Sequence, residues 1–321
     1  MILGVLGLAR EPEPFIAQLL HGLAAAGIEV RTGRRAARGA DVVYLPWTAT
    51  AVDDPGVFDL GPPVVLSCRG AQVNVAPWNP DRTALRDGLP GAFARAAAVH
   101  CVSDAIRREA AGHGLDPAKA TVIRPAVDLD RFRPSPPPAP AAARLVSVGR
   151  LQWRKGYEYA LLALRRLQDA GHAVTYEIVG EEADGGATRH AVHDLDLTAV
   201  VTLTPPLGRE AVAERLGRAD VLLLPSLSEG IANVVLEAMA CARPVVVTDC
   251  GGMTEAVTDG IEGRVVPVRD PAAMARALAD LLADPERRRA MGRAGRARVE
   301  AGHDLAHQVD AFAALLRGVA A

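Results

Sequence analysis

In residues 219–252, ADVLLLPSLSEGIANVVLEAMACARPVVVTDCGG, two short apolar runs flank a turn and an Ala-rich segment. "ADVLLLPS" ends a strand, "LSEG" turns, "IANVVLEAMAC" has helical character, and 245–248 is the next strand. Strands that are apolar at nearly every position are covered on both faces, and strand–helix–strand order makes them parallel neighbours. The same alternation extends in both directions. Runs at 145–148, 175–179, 200–203, 221–224, 245–248 and 265–268 alternate with helical patterns, and a similar series at 2–6, 28–31, 42–45, 64–67, 99–102 and 121–123 precedes them. The expected fold class is α/β, with two Rossmann-like, doubly wound parallel-sheet domains facing a cleft, each binding at the carboxyl ends of its strands.

The clearest boundary is "RPSPPPAPAAAR" at 133–144, where crowded prolines forbid helix and sheet interior and favour an extended spacer. The expected organisation is a short N-terminal domain, 1–133, a Pro-rich linker, 134–143, a second domain, 144–300, and a helix, 301–321, packing across the domains. The Ala- and Arg-rich tail from residue 285 is helical by period.

The chain has 321 residues and a net charge of −2, and half its residues are hydrophobic, enough for two cores. Near-balanced charge argues against nucleic acid as a partner. No apolar run approaches the roughly 20 residues of a membrane span, and the opening "MILGVLGLAREPEP" reads as a first strand rather than a leader, so a cytoplasmic location is expected. Cys68, Cys101, Cys241 and Cys250 lack the spacing of a zinc or redox motif and read as small core residues.

Glu229 and Glu237 stand out within the opening stretch. N–H groups of a helix's first turn, here expected at Gly230, Ile231, Ala232 and Asn233, have no intrahelical partner and carry the positive end of the helix dipole, which suits a phosphate. Eight residues rising wholly as helix would separate the glutamates by roughly 12 Å, longer than the 5 to 9.5 Å of a glycosidase carboxylate pair. That spacing suits one extended ligand gripped at two points. The plain alternative makes Glu229 a turn residue and Glu237 a solvated side chain, but the apolar neighbours Val234, Val235, Leu236, Ala238 and Met239 leave Glu237 little solvent face. A second constellation, "SVGRLQWRKGYEYALLAL" at 147–164, places Gly149, Arg150 and Lys155 at a strand end, where fixed cations can neutralise a departing diphosphate. Arg154 and Arg165 read as solubilising surface residues.

"SVGRLQWRKG" followed by "PSLSEGIANVVLEAMACARPVVVTDCGGMTEAVTDGIEGRVVPVRDP" resembles the donor-binding half of the retaining GT-B glycosyltransferases of glycosyltransferase family 4, over nearly all of 145–284. Two glutamates with seven residues between them are that family's signature. The resemblance implies a metal-independent, cofactor-free transfer from a nucleotide diphosphate sugar with retained anomeric configuration. It implies that Arg150 and Lys155 hold the diphosphate, Glu229 contacts the donor sugar and Glu237 takes the ribose hydroxyls. The loop 204–208, "TPPLG", with Thr204 and Leu207, occupies the place of the base.

The first half resembles the family less. Gly7 alone fills the role of its glycine-rich loop, and Arg69-Gly70 stands where many members carry His-Gly. Arginine cannot serve as a base, but it can hold an acceptor phosphate or carboxylate by a bidentate contact. Asn74, Trp78 and Trp47 are candidates for an acceptor wall, with core packing the alternative for each tryptophan. Such an acceptor is a small molecule or a glycan.

Two "DLD" triplets, 128–130 and 194–196, do not lie where a metal site is expected, and the histidines show no ligand spacing. "RTGRRAARG" at 31–39 offers a basic patch to anionic lipid, against the plainer reading of solubilisation. Thr254 is the expected cap of the helix after "DCGG". The rival to an enzyme is a nucleotide-sugar-binding pseudoenzyme, or a subunit completing a partner's active site, favoured by the short first half and the missing His-Gly.

Overall fold

The structure, a computed structural model, describes residues 1–10, 12–136 and 142–321. The middle of the proline-rich spacer and Glu11 lie outside the described residues. Among the described residues twelve strands form: β1 Ile2–Val5, β2 Glu29–Thr32, β3 Val42–Leu45, β4 Val64–Cys68, β5 Ala98–Cys101, β6 Ala120–Val122, β7 Ala143–Val148, β8 Val174–Val179, β9 Val201–Thr204, β10 Val221–Leu224, β11 Val245–Thr248 and β12 Gly263–Val266. They make two six-stranded sheets, ordered β2-β1-β3-β4-β5-β6 and β12-β11-β10-β7-β8-β9, with the named strands paired parallel throughout.

Successive side chains on a strand point to opposite faces, so a sheet covered by helices on both sides needs apolar residues at every position. On β10, Leu222 and Leu224 enter one core cluster, while Val221 and Leu223 enter another. On β3, Val43 and Leu45 face one cluster, and Val42 and Tyr44 the other. Each sheet thus has a core on each face, which is why these strands read as unbroken apolar runs. The four cysteines are buried free thiols within these cores.

The chain divides into two compact units, Met1–Ala126 with His303–Ala321, and Val127–Gly302. The change of unit falls ahead of the proline-rich stretch, not within the expected linker at 134–143. Phe132 is the reason: it is fully buried in the second unit's core beside Val127 and Leu216. Its carbonyl accepts from Arg296 at 3.0 Å, and Ser135 Oγ donates to the Gly217 carbonyl at 3.1 Å. The helix Leu305–Ala320 returns to the first unit, where Phe312 meets Tyr44 and His100 edge to face or tilted, with centroids 5.8 and 4.6 Å apart. Among the described residues no helix is long and apolar enough to cross a membrane. Of the basic stretch at 31–39, Arg31 pairs with Glu29 and Arg34 with Asp54.

Candidate functional site

In the second sheet β7 and β10 are neighbours, and the chain leaves them in opposite directions, β7 toward β8 and β9, β10 toward β11 and β12. Strand order reverses there, which opens a crevice between the two departing loops, the usual ligand position in an open α/β sheet. The loop after β7 closes in a short 3-10 turn, Trp153–Lys155, followed by Gly156 with φ +63°. A Cβ on Gly156 would lie 2.3 Å from the Pro225 carbonyl oxygen, so glycine alone lets this turn press onto the loop after β10. The two loops are also tied by Leu227 N, which donates to the Arg154 carbonyl at 2.7 Å.

This docking brings Lys155 Nζ to 2.6 Å from Glu229 Oε1, in a pair that is nearly excluded from solvent. Ser226 Oγ donates to the same oxygen at 2.8 Å, and Thr248 Oγ1 in turn donates to the Ser226 carbonyl. Arg154 Nη1 stands 3.6 Å from Glu229 Oε2. The Gln152 amide, with its oxygen toward Arg154, accepts from Nε at 3.0 Å and Nη2 at 3.2 Å. Burial alone would push the Glu229 carboxyl up. Lys155, Arg154 and the hydrogen bonds from Lys155 and Ser226 outweigh it and hold the group below its ordinary value. Two cations therefore face one carboxylate.

Glu229 is fixed from behind as well. Gly251, with φ +56°, lies so close that a Cβ there would come within 1.8 Å of the Glu229 carbonyl oxygen, and Gly252 N donates to the Gly230 carbonyl at 2.7 Å. The following helix is Asn233–Ala240, not 231–241 as its spacing predicts; the Gly251-Gly252 turn engages the backbone of Glu229 and Gly230 just ahead of it. Its N-cap is Ala232, with no side-chain cap. Ile231 and Ala232 are nearly buried, and Asn233 is half-buried. Only Asn233 to Glu237 rises as helix, so the path between the two glutamates is not the wholly helical one behind the expected roughly 12 Å. Glu237 is half-buried, and burial pushes its carboxyl up to about 7 against the opposing pull of Arg209 and Arg131.

The other expected donor-side residues are distributed around this core. Gly149 follows β7, its carbonyl accepting from Tyr157 OH at 2.9 Å, beside the Lys155 side chain. Arg150 is exposed and stands 3.5 Å from Glu181, outside the buried cluster. Thr204 ends β9 and donates to Glu177 Oε1 at 2.7 Å, and Leu207 packs on the core of its own unit. Of Arg150, Lys155, Glu229 and Glu237, the structure brings Lys155 and Glu229 into contact. Arg154, read from sequence as a surface residue, belongs to the cluster, because a 3-10 turn rather than a helix carries it inward. Ser226 and Thr248 also belong to the cluster without having been singled out from the sequence; their signal is position alone, Ser226 just after β10 at the switch point and Thr248 at the end of β11 next to it. Thr254 is not a cap: its helix, Met253–Ala256, starts from Gly252 without a side-chain cap. Among the described residues no group of three His, Cys, Asp or Glu side chains is placed to hold a metal ion.

In the first unit strand order reverses between β1 and β3. Gly7, φ +73°, follows β1 and packs against Thr50. Arg69 follows β4, with Nη2 donating to Tyr44 OH at 2.9 Å and its guanidinium 5.1 Å from the Phe15 ring centroid. Trp47 meets the same Phe15 ring edge on. Asn74 ends the short helix Ala71–Asn74 and is half-buried. Trp78 is 72% exposed, with His113 against one side of its ring.

Comparison with known proteins places these sheets. Residues 130–298 match the family model described as glycosyl transferases group 1, and residues 31–131 match glycosyltransferase family 4. The D-inositol 3-phosphate glycosyltransferase of Kineococcus radiotolerans is 38% identical over 217 residues, covering 59% of this chain and 50% of that protein. The protein of the same name from Streptomyces scabiei is 36% identical over 203 residues, 58% of this chain and 46% of that one. The chain thus spans about half the length of these relatives. Among solved structures, Anabaena HepE, crystallised with UDP and glucose, has a TM-score of 0.84 at 17% identity over 99% of this chain and 100% of that one. Sucrose-phosphate synthase from Thermosynechococcus elongatus has a TM-score of 0.84 at 19% identity, covering 99% and 98%. At these identities the likeness is one of fold, and the fold is GT-B. With a match over more than half its length, the chain belongs to the glycosyl transferases group 1 family, within glycosyltransferase family 4.

Proposed function

We propose that the protein is a retaining glycosyltransferase that moves a sugar from a nucleotide diphosphate donor to a small-molecule or glycan acceptor. The observation that carries this reading is the Lys155–Glu229 pair at the switch point of the second sheet, with Arg154 alongside. An ammonium has three N–H donors. One is engaged by Glu229, so two others serve a diphosphate arriving in the crevice. Arg150, on the same loop and exposed, turns from Glu181 to the outer phosphate. Backbone N–H groups of Gly230, Ile231 and Ala232 lead into the helix that starts at Asn233, whose dipole adds to theirs. Glu229, kept ionised by its cations, accepts hydroxyls of the donor sugar, and Glu237 accepts those of the ribose. The base lies along Thr204 and Leu207.

In the transfer the bond from the anomeric carbon to the diphosphate oxygen breaks, and a bond from the acceptor oxygen to that carbon forms on the same face. The acceptor's proton passes to the departing phosphate oxygen. Charge growing on that oxygen meets Lys155 and Arg150, so the step calls for neither a metal nor a protein base. Gly7, Arg69, Asn74 and Trp78 of the first unit would receive the acceptor.

The experiment is incubation with uridine, guanosine, adenosine and thymidine diphosphate sugars, followed by NMR. Slow release of free sugar whose first-formed anomer matches the donor supports the reading. Tight nucleotide binding with no turnover of any donor favours instead a pseudoenzyme or a subunit completing a partner's active site.

A further inference from the structure

Arg69 is a cation to which the described residues supply no acid. Among the described residues no carboxylate lies within ion-pair distance of it, although most of the protein's buried or half-buried arginines, such as Arg131, Arg154 and Arg298, have one. The side chain is half-buried at the carboxyl end of β4, next to the point where strand order reverses in the first sheet. Its guanidinium is held on two sides, by the Tyr44 hydroxyl at 2.9 Å and by the Phe15 ring at 5.1 Å. Tyr44 is fully buried, so this scaffold is fixed from beneath. Nε, on the same edge of the fork as Nη2, is buried and has no hydrogen-bond partner. Its charge is felt in the interior: after burial itself, Arg69 is the next cause of the lowered basicity of His100.

A half-buried guanidinium is costly when its charge is uncompensated and an N–H is left unmade. Hydroxyl and ring contacts hold the fork in place but do not cancel its charge. A planar fork matches the paired oxygens of an oxyanion, and a strand-order reversal at the carboxyl edge of a parallel sheet is a ligand position.

We infer that Arg69 is a specificity-determining residue that receives an oxyanion, a phosphate monoester or a carboxylate, on the acceptor. The inference rests on the glycosyltransferase reading for the word acceptor, but the anion site stands on the first unit's own residues. Phe15 and Tyr44 set the plane of the fork, and the acceptor's hydroxyl is presented by way of its charged end. Uncharged acceptors of the same shape are then poor substrates.

The test is calorimetric titration of inorganic phosphate, and separately of acetate, into the wild-type chain, Arg69→Gln and Arg69→Lys, with the arginine Nε–H signals in NMR locating the bound anion in the wild type. Nucleotide diphosphate binding is measured in parallel. The expected result is saturable binding of at least one anion that weakens about tenfold or more in Arg69→Gln, with the lysine variant between, while nucleotide binding is unchanged. Arg69→Lys keeps the charge without the fork, so it gives a readable result if the glutamine variant does not fold. Absence of a wild-type anion response at the Arg69 signal, or an isotherm the same in all three proteins, overturns the inference and leaves Arg69 as a structural link between Phe15 and Tyr44. Failure of every nucleotide diphosphate to bind would count against the donor reading and would leave the Arg69 result standing.

Discussion

Lys155 Nζ and Glu229 Oε1 lie 2.6 Å apart although their loops leave different strands of the second sheet. The contact requires both strand order and loop chemistry: β7 and β10 must be neighbours, and Gly156 must admit the Pro225 carbonyl. The pair holds the Glu229 carboxyl below its ordinary value within a site that excludes most water.

Breaking the pair on one side should be costly. Glu229→Ala leaves a buried ammonium beside Arg154, and Lys155→Met leaves a buried carboxylate with its hydrogen bond from Ser226. Each is expected to cost about 3 kcal/mol in urea unfolding, as one-sided loss of a buried ion pair does. The double variant should lose clearly less than the sum. Additive losses would mean that the two groups do not interact as the distance implies.

Gly251→Ala tests the support behind Glu229. The new methyl meets the Glu229 carbonyl, and φ +56° is strained for alanine. Donor affinity should fall at least about tenfold, while the change in unfolding free energy stays near 1 to 3 kcal/mol. Unaltered donor affinity would show that the turn does not position the carboxylate.

His100 is completely buried, with Nε2 donating to the Ile123 carbonyl at 2.8 Å and Nδ1 accepting from Ser67 Oγ at 2.7 Å. That tautomer is neutral. Burial, then Arg69, lowers its pKa from 6.5 to about 3. An imidazole harder to protonate in the folded chain than in the unfolded one contributes stability that is fully present above about pH 6.5. That contribution is lost as pH falls toward 3, at on the order of 1 kcal/mol per pH unit. Urea unfolding at pH 7, 6 and 5 should show this slope, and His100→Gln should flatten it.

Glu237 has the opposite sign. Its folded-state pKa is raised from 4.5 to about 7 by burial, so the neutral acid is favoured on folding. The associated stability is present below about pH 4.5 and is lost as pH rises through 7. Wild type should therefore lose stability relative to Glu237→Gln between these limits. A difference independent of pH would contradict the raised value.

The strands β3, β4, β5, β10 and β11 are legible in the sequence because every one of their positions is buried, whereas β2 and β8 keep exposed polar residues and show through their β-branched content and their place in the strand–helix alternation. What was not legible depends on contacts between distant segments. Arg154 looks like any exposed arginine until a 3-10 turn sets it beside Glu229. The helix expected to begin at Ile231 begins at Asn233, since Gly252 claims the Gly230 carbonyl. Prolines mark extended backbone but not where a core ends, so Phe132 moved the unit boundary ahead of the spacer. Arg69 stands out in the sequence in place of His-Gly, yet that no carboxylate among the described residues reaches it is a fact of three dimensions.

The most direct test of the central claim, a nucleotide diphosphate held at the Lys155–Glu229 crevice, is calorimetric titration of the wild-type chain and Lys155→Met with the uridine, guanosine, adenosine and thymidine diphosphates and their sugars. The expected result is one base bound by the wild type with an affinity at least about tenfold tighter than by the variant, for the diphosphate and its sugar alike. Binding of none of them, or binding that is equal in both proteins, would contradict it.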